Sequence, residues 1–185
     1  MVPFLMHLFL RDVKIKDGVD IMKFKELYEL QAELDKEIHL NHKTDYSKTM
    51  NERTLAFMVE MGEFANETRC FKYWSNKGPS ERSVILEEYI DALHFILSLG
   101  LATNFKAVQD LDYTPNVSKK SLTEDIIDMY QEAKLYKDNP SLDLYKSFFE
   151  KFLGIASKLG FSREDLVEAY YAKNNINHQR QHSNY

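Results

Sequence analysis

Cysteine is nearly absent from this 185-residue chain, which contains only Cys70. One cysteine cannot form an internal disulfide bond or a cysteine-rich metal site, so we expect a cytoplasmic protein in a reducing compartment. The chain also lacks a glycine-rich phosphate loop, an internal repeat and a run of heptads. Basic residues do not predominate, because the formal net charge is −5. This charge argues against a surface for nucleic acid or for an acidic membrane.

Apolar residues are plentiful, since 44% of the chain is hydrophobic and 13% is aromatic. This is enough material for one sizeable core, so we expect a single domain over residues 22–185. Residues 1–21 look unlike the rest and are interpreted as an N-terminal extension. Their apolar part, residues 1–10, is too short for a membrane span and lacks the basic start and cleavage site of a signal peptide. Packing of this segment on the edge of the domain is the alternative.

The spacing of the apolar residues predicts an all-α fold, a bundle of about six helices with no strand pattern. We expect helices at about 22–41, 48–71, 84–101, 121–137, 141–160 and 162–178. Ser121 and Glu124 form a capping-box pattern at the start of the fourth helix, and Gly160 ends the fifth. The residues expected to be buried on the second helix are Leu55, Met58, Val59, Gly62 and Ala65. Because glycine weakens a helix, Gly62 also indicates close approach by a neighbouring group.

Four carboxylates form two pairs in an expected antiparallel helical hairpin, residues 49–101. Glu60 and Glu63 share one face of the first helix, and Glu88 and Asp91 share one face of the second, because each pair is spaced i, i+3. In an antiparallel hairpin, residues at equal height have numbers with a constant sum. Glu60 with Asp91 and Glu63 with Glu88 have the same sum, so the pairs should face each other.

The second of these helices is apolar almost all the way round, which indicates that it is buried. Carboxylates brought together in such a helix need raised pKa values, basic partners or divalent cations. All-oxygen ligands favour Mg²⁺, with Mn²⁺ as the alternative, over zinc. The competing interpretation is that both pairs lie on ordinary solvated helix faces.

Two groups of residues could contact a ligand near the hairpin. Lys173, Asn177 and Arg180 share a helix face and could bind phosphate oxygens, although a solvated C-terminus would show the same pattern. Phe95 could stack on a base while His94 reads its polar edge. The alternative for His94 is a satisfied core residue.

Two further clusters are open to either interpretation. Lys72 and Trp74 place a cation and a large aromatic side chain near the hairpin turn, where they could serve a ligand or merely pack the turn. Gln31 and Asp35 lie beside the apolar stripe of the first helix. They form either a polar patch at a ligand pocket or a solvated flank.

Four motifs follow one another between Glu60 and Gln181, within a resemblance to a known family that covers residues 22–181. They are Glu60-Met-Gly-Glu63, Asn66-Glu67-x-Arg69-x-Phe71-Lys72-x-Trp74-Ser75, Glu87-Glu88-x-Ile90-Asp91-Ala-Leu-His94-Phe95 and Tyr171-x-Lys173-Asn174-x-x-Asn177-x-x-Arg180-Gln181. In type and order these motifs resemble the dimeric all-α dUTPases, which are related to the MazG-like and dCTP pyrophosphatases. The acidic pairs alone would identify only this wider group of nucleotide pyrophosphatases.

The resemblance implies a homodimer that uses Mg²⁺ to hydrolyse dUTP, and dUDP as well, to dUMP, with pyrophosphate released from dUTP. Two or three Mg²⁺ ions per site would then be held by Glu60, Glu63, Glu88 and Asp91, with Glu63 as the base that activates water. The implied phosphate-binding residues are Lys72, Lys173, Asn174, Asn177 and Arg180. The implied nucleoside-binding residues are Gln31, Trp74, His94 and Phe95.

Two other functions remain open from the sequence. One is a pyrophosphatase for another nucleotide, such as dCTP or a substrate of MazG-like enzymes. The other is a helical interaction module that binds a regulatory protein. Because phage-type members of the family bind repressors, a repressor is an alternative partner that is compatible with catalysis.

Overall fold

The computed structural model describes residues 24–103 and 107–183, together with the backbone of residues 14–16 and 19–21. Within these ranges the fold is all-α, and its bundle consists of six α-helices. They are α1 (Lys25–His42), α2 (Met50–Thr68), α3 (Arg82–Ala102), α4 (Leu122–Asp138), α5 (Leu142–Lys158) and α6 (Arg163–His182). The predicted all-α bundle is therefore confirmed. Residues 22 and 23, where the first helix was expected to begin, lie outside the described residues.

The ends of the later helices follow the capping signals in the sequence. The Ser121 hydroxyl accepts a hydrogen bond from the Glu124 backbone N–H, and the Glu124 side chain accepts one in return from the Ser121 N–H, so the expected capping box starts α4. Ser162 and Asp165 form a second capping box at α6. Gly160, with φ of 73°, follows α5 in the left-handed region that glycine adopts without strain.

The apolar helix α3 is central in the bundle, as its composition predicts. It packs against α1, α2, α5 and α6. The Tyr89 ring stacks on Phe152 of α5, with centroids 4.3 Å apart, and meets the edge of Phe64 from α2 at 5.7 Å. Its hydroxyl donates to the Phe152 carbonyl at 2.9 Å, so this fully buried tyrosine leaves no polar atom unsatisfied.

The buried face of α2 differs from the predicted one. Leu55 and Val59 were expected in the core, but their exposed fractions are 63% and 49%. The core face instead contains three fully buried residues, Phe57, Met61 and Phe64. Because α2 has apolar stripes on two sides, helical periodicity alone could not choose between them. The stripe with the larger side chains is buried in the core, because its burial removes more apolar surface from water.

The expected close approach to Gly62 is present. A Cβ atom at this position would lie 3.2 Å from the Tyr130 hydroxyl of α4. That hydroxyl donates to the Met58 carbonyl at 2.7 Å, one turn before Gly62. The glycine thus lets α4 pack closely on α2.

A short antiparallel strand pair precedes the bundle. Strand β1 (Lys14–Lys16) pairs with β2 (Val19–Ile21), and Lys14 faces Ile21. Strands of three residues are too short to show a two-residue alternation, which explains why no strand pattern was visible in the sequence. Among the helices of residues 24–103 and 107–183, none combines the length and the apolar character needed to cross a lipid bilayer.

Candidate active site

The helices that carry the acidic pairs run antiparallel in the expected register. The Arg53 guanidinium on α2 donates to the Ser98 hydroxyl on α3. In an antiparallel pair of helices, residues at equal height have numbers with a constant sum. Arg53 and Ser98 have the same sum as Glu60 and Asp91, so the Glu60 and Asp91 carboxylates lie at equal height. Burial of α3 on its other side turns its acidic face toward α2.

Three of the four carboxylates form a compact cluster. Oxygen atoms of Glu60, Glu88 and Asp91 lie within 4.8 Å of one another. Glu63 lies one turn further along α2, is more exposed, and borders the same cavity. Oxygen ligands at this spacing suit a hard divalent cation such as Mg²⁺ or Mn²⁺.

The electrostatics of the cluster reflect its crowding. Burial, followed by the charges of Asp91, Glu63 and Glu88, raises the pKa of Glu60 from 4.5 to about 7. Burial and the charge of Asp91 also raise the pKa of Glu88. Burial raises the pKa of Asp91 as well, although the ammonium group of Lys173 opposes the shift. The three carboxylates therefore hold protons more tightly than carboxylates in water.

Lys173 of α6 provides a cationic partner for this cluster. Its Nζ donates to Asp91 Oδ2 at 2.6 Å and to Glu87 Oε1 at 3.1 Å. Burial alone would lower the pKa of this lysine, but the bonds to Asp91 and Glu87 outweigh burial and raise it. Lys173, which was expected to bind phosphate, thus partly neutralises the acidic cluster.

A cavity of about 600 Å³ opens above the acidic cluster, between α1, α2, α3 and α6. This volume is in the range of small-molecule sites. Ten of the residues predicted for the site line it, namely Gln31, Glu60, Glu63, Glu88, Asp91, His94, Phe95, Lys173, Asn177 and Arg180. The cavity therefore combines acidic, basic, amide and aromatic groups contributed by four helices.

A polar and aromatic region lies one helical turn from the acids. His94 follows Asp91 by three residues on α3, and its ring stacks on Tyr170 with centroids 4.1 Å apart. Its Nδ1 lies 2.9 Å from Gln31 Oε1. Because Phe95 also borders the cavity, this end offers an aromatic surface beside groups that can form hydrogen bonds.

Comparison with protein families identifies the family of the chain. Residues 23–185 match the family model described as dUTPase. The chain belongs to the all-α dUTPase family. A comparison with curated proteins gives no match. Membership over nearly the whole chain makes the protein an enzyme, a dUTP diphosphatase, and makes the cavity its candidate active site.

Three predicted residues of this dUTPase lie outside the cavity lining. Lys72 and Trp74 lie in the turn after α2, where Lys72 donates to Asn66 and Trp74 is 65% exposed. Since α2 ends at Thr68, about 12 Å along the helix from Glu60, this turn is well separated from the acids. Asn174 is buried beside the cavity, and its Oδ1 has no hydrogen-bond partner among the described residues.

The dUTPase site also contains residues that were not predicted for it. Arg53, Ser98, Glu87 and Gln181 line the cavity, and Tyr170 packs on the ring of His94. Glu87 and Gln181 could have been predicted from the sequence, because both belong to the motifs on which the family resemblance rests. Arg53 and Ser98 had no such signal, since their pairing depends on contact between two helices.

Proposed function

We propose that this dUTPase cleaves dUTP to dUMP and pyrophosphate with Mg²⁺, that it also accepts dUDP, and that it sanitises the cytoplasmic nucleotide pool. The observation that carries the proposal is the clustering of three carboxylates at one end of a cavity that has an aromatic, hydrogen-bonding end. Such a cavity can separate the polyphosphate from the base of one nucleotide.

The donor set of the cluster fits Mg²⁺. Glu60, Glu88 and Asp91 supply carboxylate oxygens within 4.8 Å of one another, and Glu63 is at the adjacent turn. Their raised pKa values express mutual repulsion and burial, which bound cations would relieve. Two or three Mg²⁺ ions held here, or Mn²⁺ in their place, would neutralise the polyphosphate and promote attack by water.

Glu63 is the proposed general base. It lies outside the compact group of three carboxylates and is exposed at the edge of the cavity. In this position it can orient a water molecule toward the phosphate chain and accept its proton. The other three carboxylates would serve mainly as metal ligands.

The phosphate-binding role falls mainly to α6. Lys173, Asn177 and Arg180 line the cavity from one face of this helix, opposite the acidic cluster. An ammonium, an amide and a guanidinium can donate hydrogen bonds to phosphate oxygens while adding positive charge. Asn174 and Lys72 remain candidates for the same role on the strength of their motifs.

The nucleoside would occupy the end formed by Gln31, His94 and Phe95. Phe95 offers a surface for stacking, and the two polar side chains offer hydrogen bonds to the edge of uracil. Trp74 remains a predicted nucleoside contact. Because Trp74 lies in the turn after α2, it can contact the nucleoside of this site only if that turn moves. Otherwise it would contribute to another site.

Homodimerisation is proposed through the exposed apolar face of α2 and α4. Leu55 and Val59 lie one turn apart on α2, and Ile127 and Leu135 are exposed on the neighbouring α4. Exposed large apolar side chains on two neighbouring helices favour a protein interface. A second copy of the chain is the occupant that the family resemblance favours, and a phage-type repressor is the alternative partner.

The direct test is release of pyrophosphate from dUTP, dCTP, dTTP and dATP at equal concentrations, with dUDP followed by release of phosphate. We expect preferred hydrolysis of dUTP, loss of activity with a chelator, and recovery with Mg²⁺. Preferred hydrolysis of dCTP would indicate a related pyrophosphatase instead. Full activity in the presence of the chelator would contradict the proposed use of Mg²⁺.

A further inference from the structure

A largely buried polar network links α1, α2 and α3 at the proposed base end of the cavity, where Asp35, Arg53 and Ser98 form part of the lining. Its centre is Asp35 of α1, which is 2% exposed. We propose that Asp35 is a positioning residue for base specificity: through Gln31 it fixes His94 with its hydrogen on Nδ1, so that Nε2 accepts a hydrogen bond from N3–H of uracil. This inference rests on the proposed function, because it assigns the base to this end of the cavity.

Asp35 is held by donors on every side. Arg53 Nη1 donates to Oδ1 at 3.2 Å, and two hydroxyls, those of Ser98 and Tyr46, donate to Oδ2 at 2.6 and 2.9 Å. The Gln31 amide group lies 2.9 Å from Oδ1. A carboxylate paired with a guanidinium and two hydroxyls has little freedom to rotate, so its oxygens are fixed hydrogen-bond acceptors for neighbouring side chains.

The charge of Asp35 determines the orientation of the Gln31 amide. A carboxylate oxygen only accepts hydrogen bonds, so the Gln31 atom that faces Asp35 has to be the donor, Nε2. Gln31 Oε1 consequently points the other way. It accepts a hydrogen bond from the Tyr170 hydroxyl at 2.7 Å and lies 2.9 Å from His94 Nδ1.

The orientation of Gln31 in turn determines the tautomer of His94. Since Oε1 is a carbonyl oxygen and only accepts, Nδ1 of His94 has to carry a hydrogen. Burial, together with the charges of Lys173 and His178, lowers the pKa of His94 to about 3. The ring is therefore neutral near pH 7, and its single hydrogen is on Nδ1.

In this tautomer, Nε2 of His94 is left as a hydrogen-bond acceptor. The atom is buried and has no hydrogen-bond partner in the part of the chain that the structure describes. His94 itself lines the cavity, and Tyr170 supports the ring from one side. A ligand that reaches this atom has to bring a donor to satisfy it.

Uracil and cytosine differ at N3, the atom that would face Nε2 of His94. Uracil has a hydrogen on N3, whereas N3 of cytosine is an acceptor. Nε2 would accept a hydrogen bond from N3–H of uracil. In cytosine, the lone pair of Nε2 would face the lone pair of N3. Leaving buried acceptors unpaired should lower kcat/KM for dCTP about ten- to a hundredfold relative to dUTP.

The tautomer can be measured without substrate by long-range ¹H–¹⁵N NMR on the ¹⁵N-labelled, ion-free protein at pH 7.5. The signals are assigned by their loss in His94→Gln. We expect His94 to show a protonated Nδ1 and an unprotonated Nε2. A hydrogen on Nε2 would overturn the inference, and it would do so even if dUTP were hydrolysed, which keeps this test separate from that of the proposed function.

The role of Asp35 is tested by Asp35→Asn, with Tyr46→Phe as the matched control. The asparagine side chain can donate as well as accept, so Gln31 is free to turn. We expect a mixture of His94 tautomers and at least a tenfold loss in the ratio of kcat/KM for dUTP to that for dCTP. Tyr46→Phe removes one donor to Oδ2 but leaves the Gln31 bond to Oδ1, so the ratio should stay within about twofold.

An unchanged dUTP-to-dCTP ratio in folded Asp35→Asn would overturn the inference. This variant breaks a buried ion pair with Arg53 and can fail to fold. In that case the tautomer of the wild-type protein decides, because that measurement needs no variant.

Discussion

Replacing Glu60 by Gln should stabilise the ion-free enzyme while abolishing its catalysis. Glu60 is crowded by Asp91, Glu63 and Glu88, and burial adds to the cost of its charge. Gln has nearly the same shape but no charge, so it removes the repulsion and keeps the packing. It also removes one proposed metal ligand, which is why activity should be lost.

The size of the effect follows from the shifted pKa. Burial and the neighbouring charges raise the pKa of Glu60 from 4.5 to about 7. At about 1.4 kcal/mol for each pH unit, the upper limit for the cost of the charge is about 3 kcal/mol. Because the group is only partly buried and solvent screens its neighbours, we expect a gain of about 1 to 2 kcal/mol, or about 3 to 6 °C in Tm.

The gain should depend on pH in a defined direction. Below pH 4.5 Glu60 is protonated in both the folded and the unfolded chain, so wild type and variant should differ little. Between pH 4.5 and 7 the folded wild type holds its proton more tightly than the unfolded chain does. Its stability therefore falls relative to the variant as pH rises, and the full difference is reached above pH 7.

Urea unfolding in EDTA at pH 5 and pH 8 measures this difference. Glu33→Gln is the control, because Glu33 is an exposed α1 carboxylate that does not line the cavity. We expect a gain at pH 8 for Glu60→Gln only, and added Mg²⁺ should then stabilise wild type more than this variant. A variant no more stable than wild type at pH 8, or a gain that is the same at both pH values, would refute the reasoning.

Four other substitutions test separate parts of the structure. Glu63→Gln should keep the helical circular dichroism spectrum but lower kcat for dUTP about a thousandfold, and wild-type turnover would defeat the assignment of the base. Lys173→Met should raise KM for dUTP at least tenfold in steady-state assays, whereas an unchanged KM would exclude a phosphate contact. Leu55→Asp should convert the proposed dimer to monomers in light scattering, and an unchanged mass would place the interface elsewhere. Gly154→Ala should lower the free energy of unfolding by about 1 to 3 kcal/mol in urea, because a Cβ there would collide with the Asn116 backbone; wild-type stability would show that this loop yields easily.

The parts of the fold that depend on local sequence were predictable. Capping at Ser121 and the helix end near Gly160 involve contacts within a few residues, so the chain alone specifies them. The facing of Glu60 and Asp91 could also be predicted, because the two helices are consecutive and were expected to be antiparallel, and the helical period places each acidic pair on one face. These inferences needed no knowledge of the other helices.

The remaining features depend on contacts between distant segments. The buried face of α2 depends on contacts with α5, where Phe57 meets Phe148 edge to face, whereas Leu55 is left exposed. The larger side chains of the Phe57 stripe were visible in the sequence, but their partner on α5 was not. The pairing of Lys173 with Asp91 likewise requires α6 to return across α3. Asp35 was visible as a polar residue beside an apolar stripe, but its partners Arg53 and Ser98 come from two other helices.

The acidic cluster stays together because its helices are held from behind. Repulsion among carboxylates would push α2 and α3 apart if only the acidic faces met. On α3, however, Tyr89 follows Glu88 directly and points into the core, where it stacks on Phe152, meets Phe64 of α2 and donates to a buried carbonyl. Aromatic packing of this kind offsets the repulsion and keeps the oxygens close before any cation arrives. A tightly packed core beside the cavity is therefore what allows the site to remain assembled while its ligands repel one another.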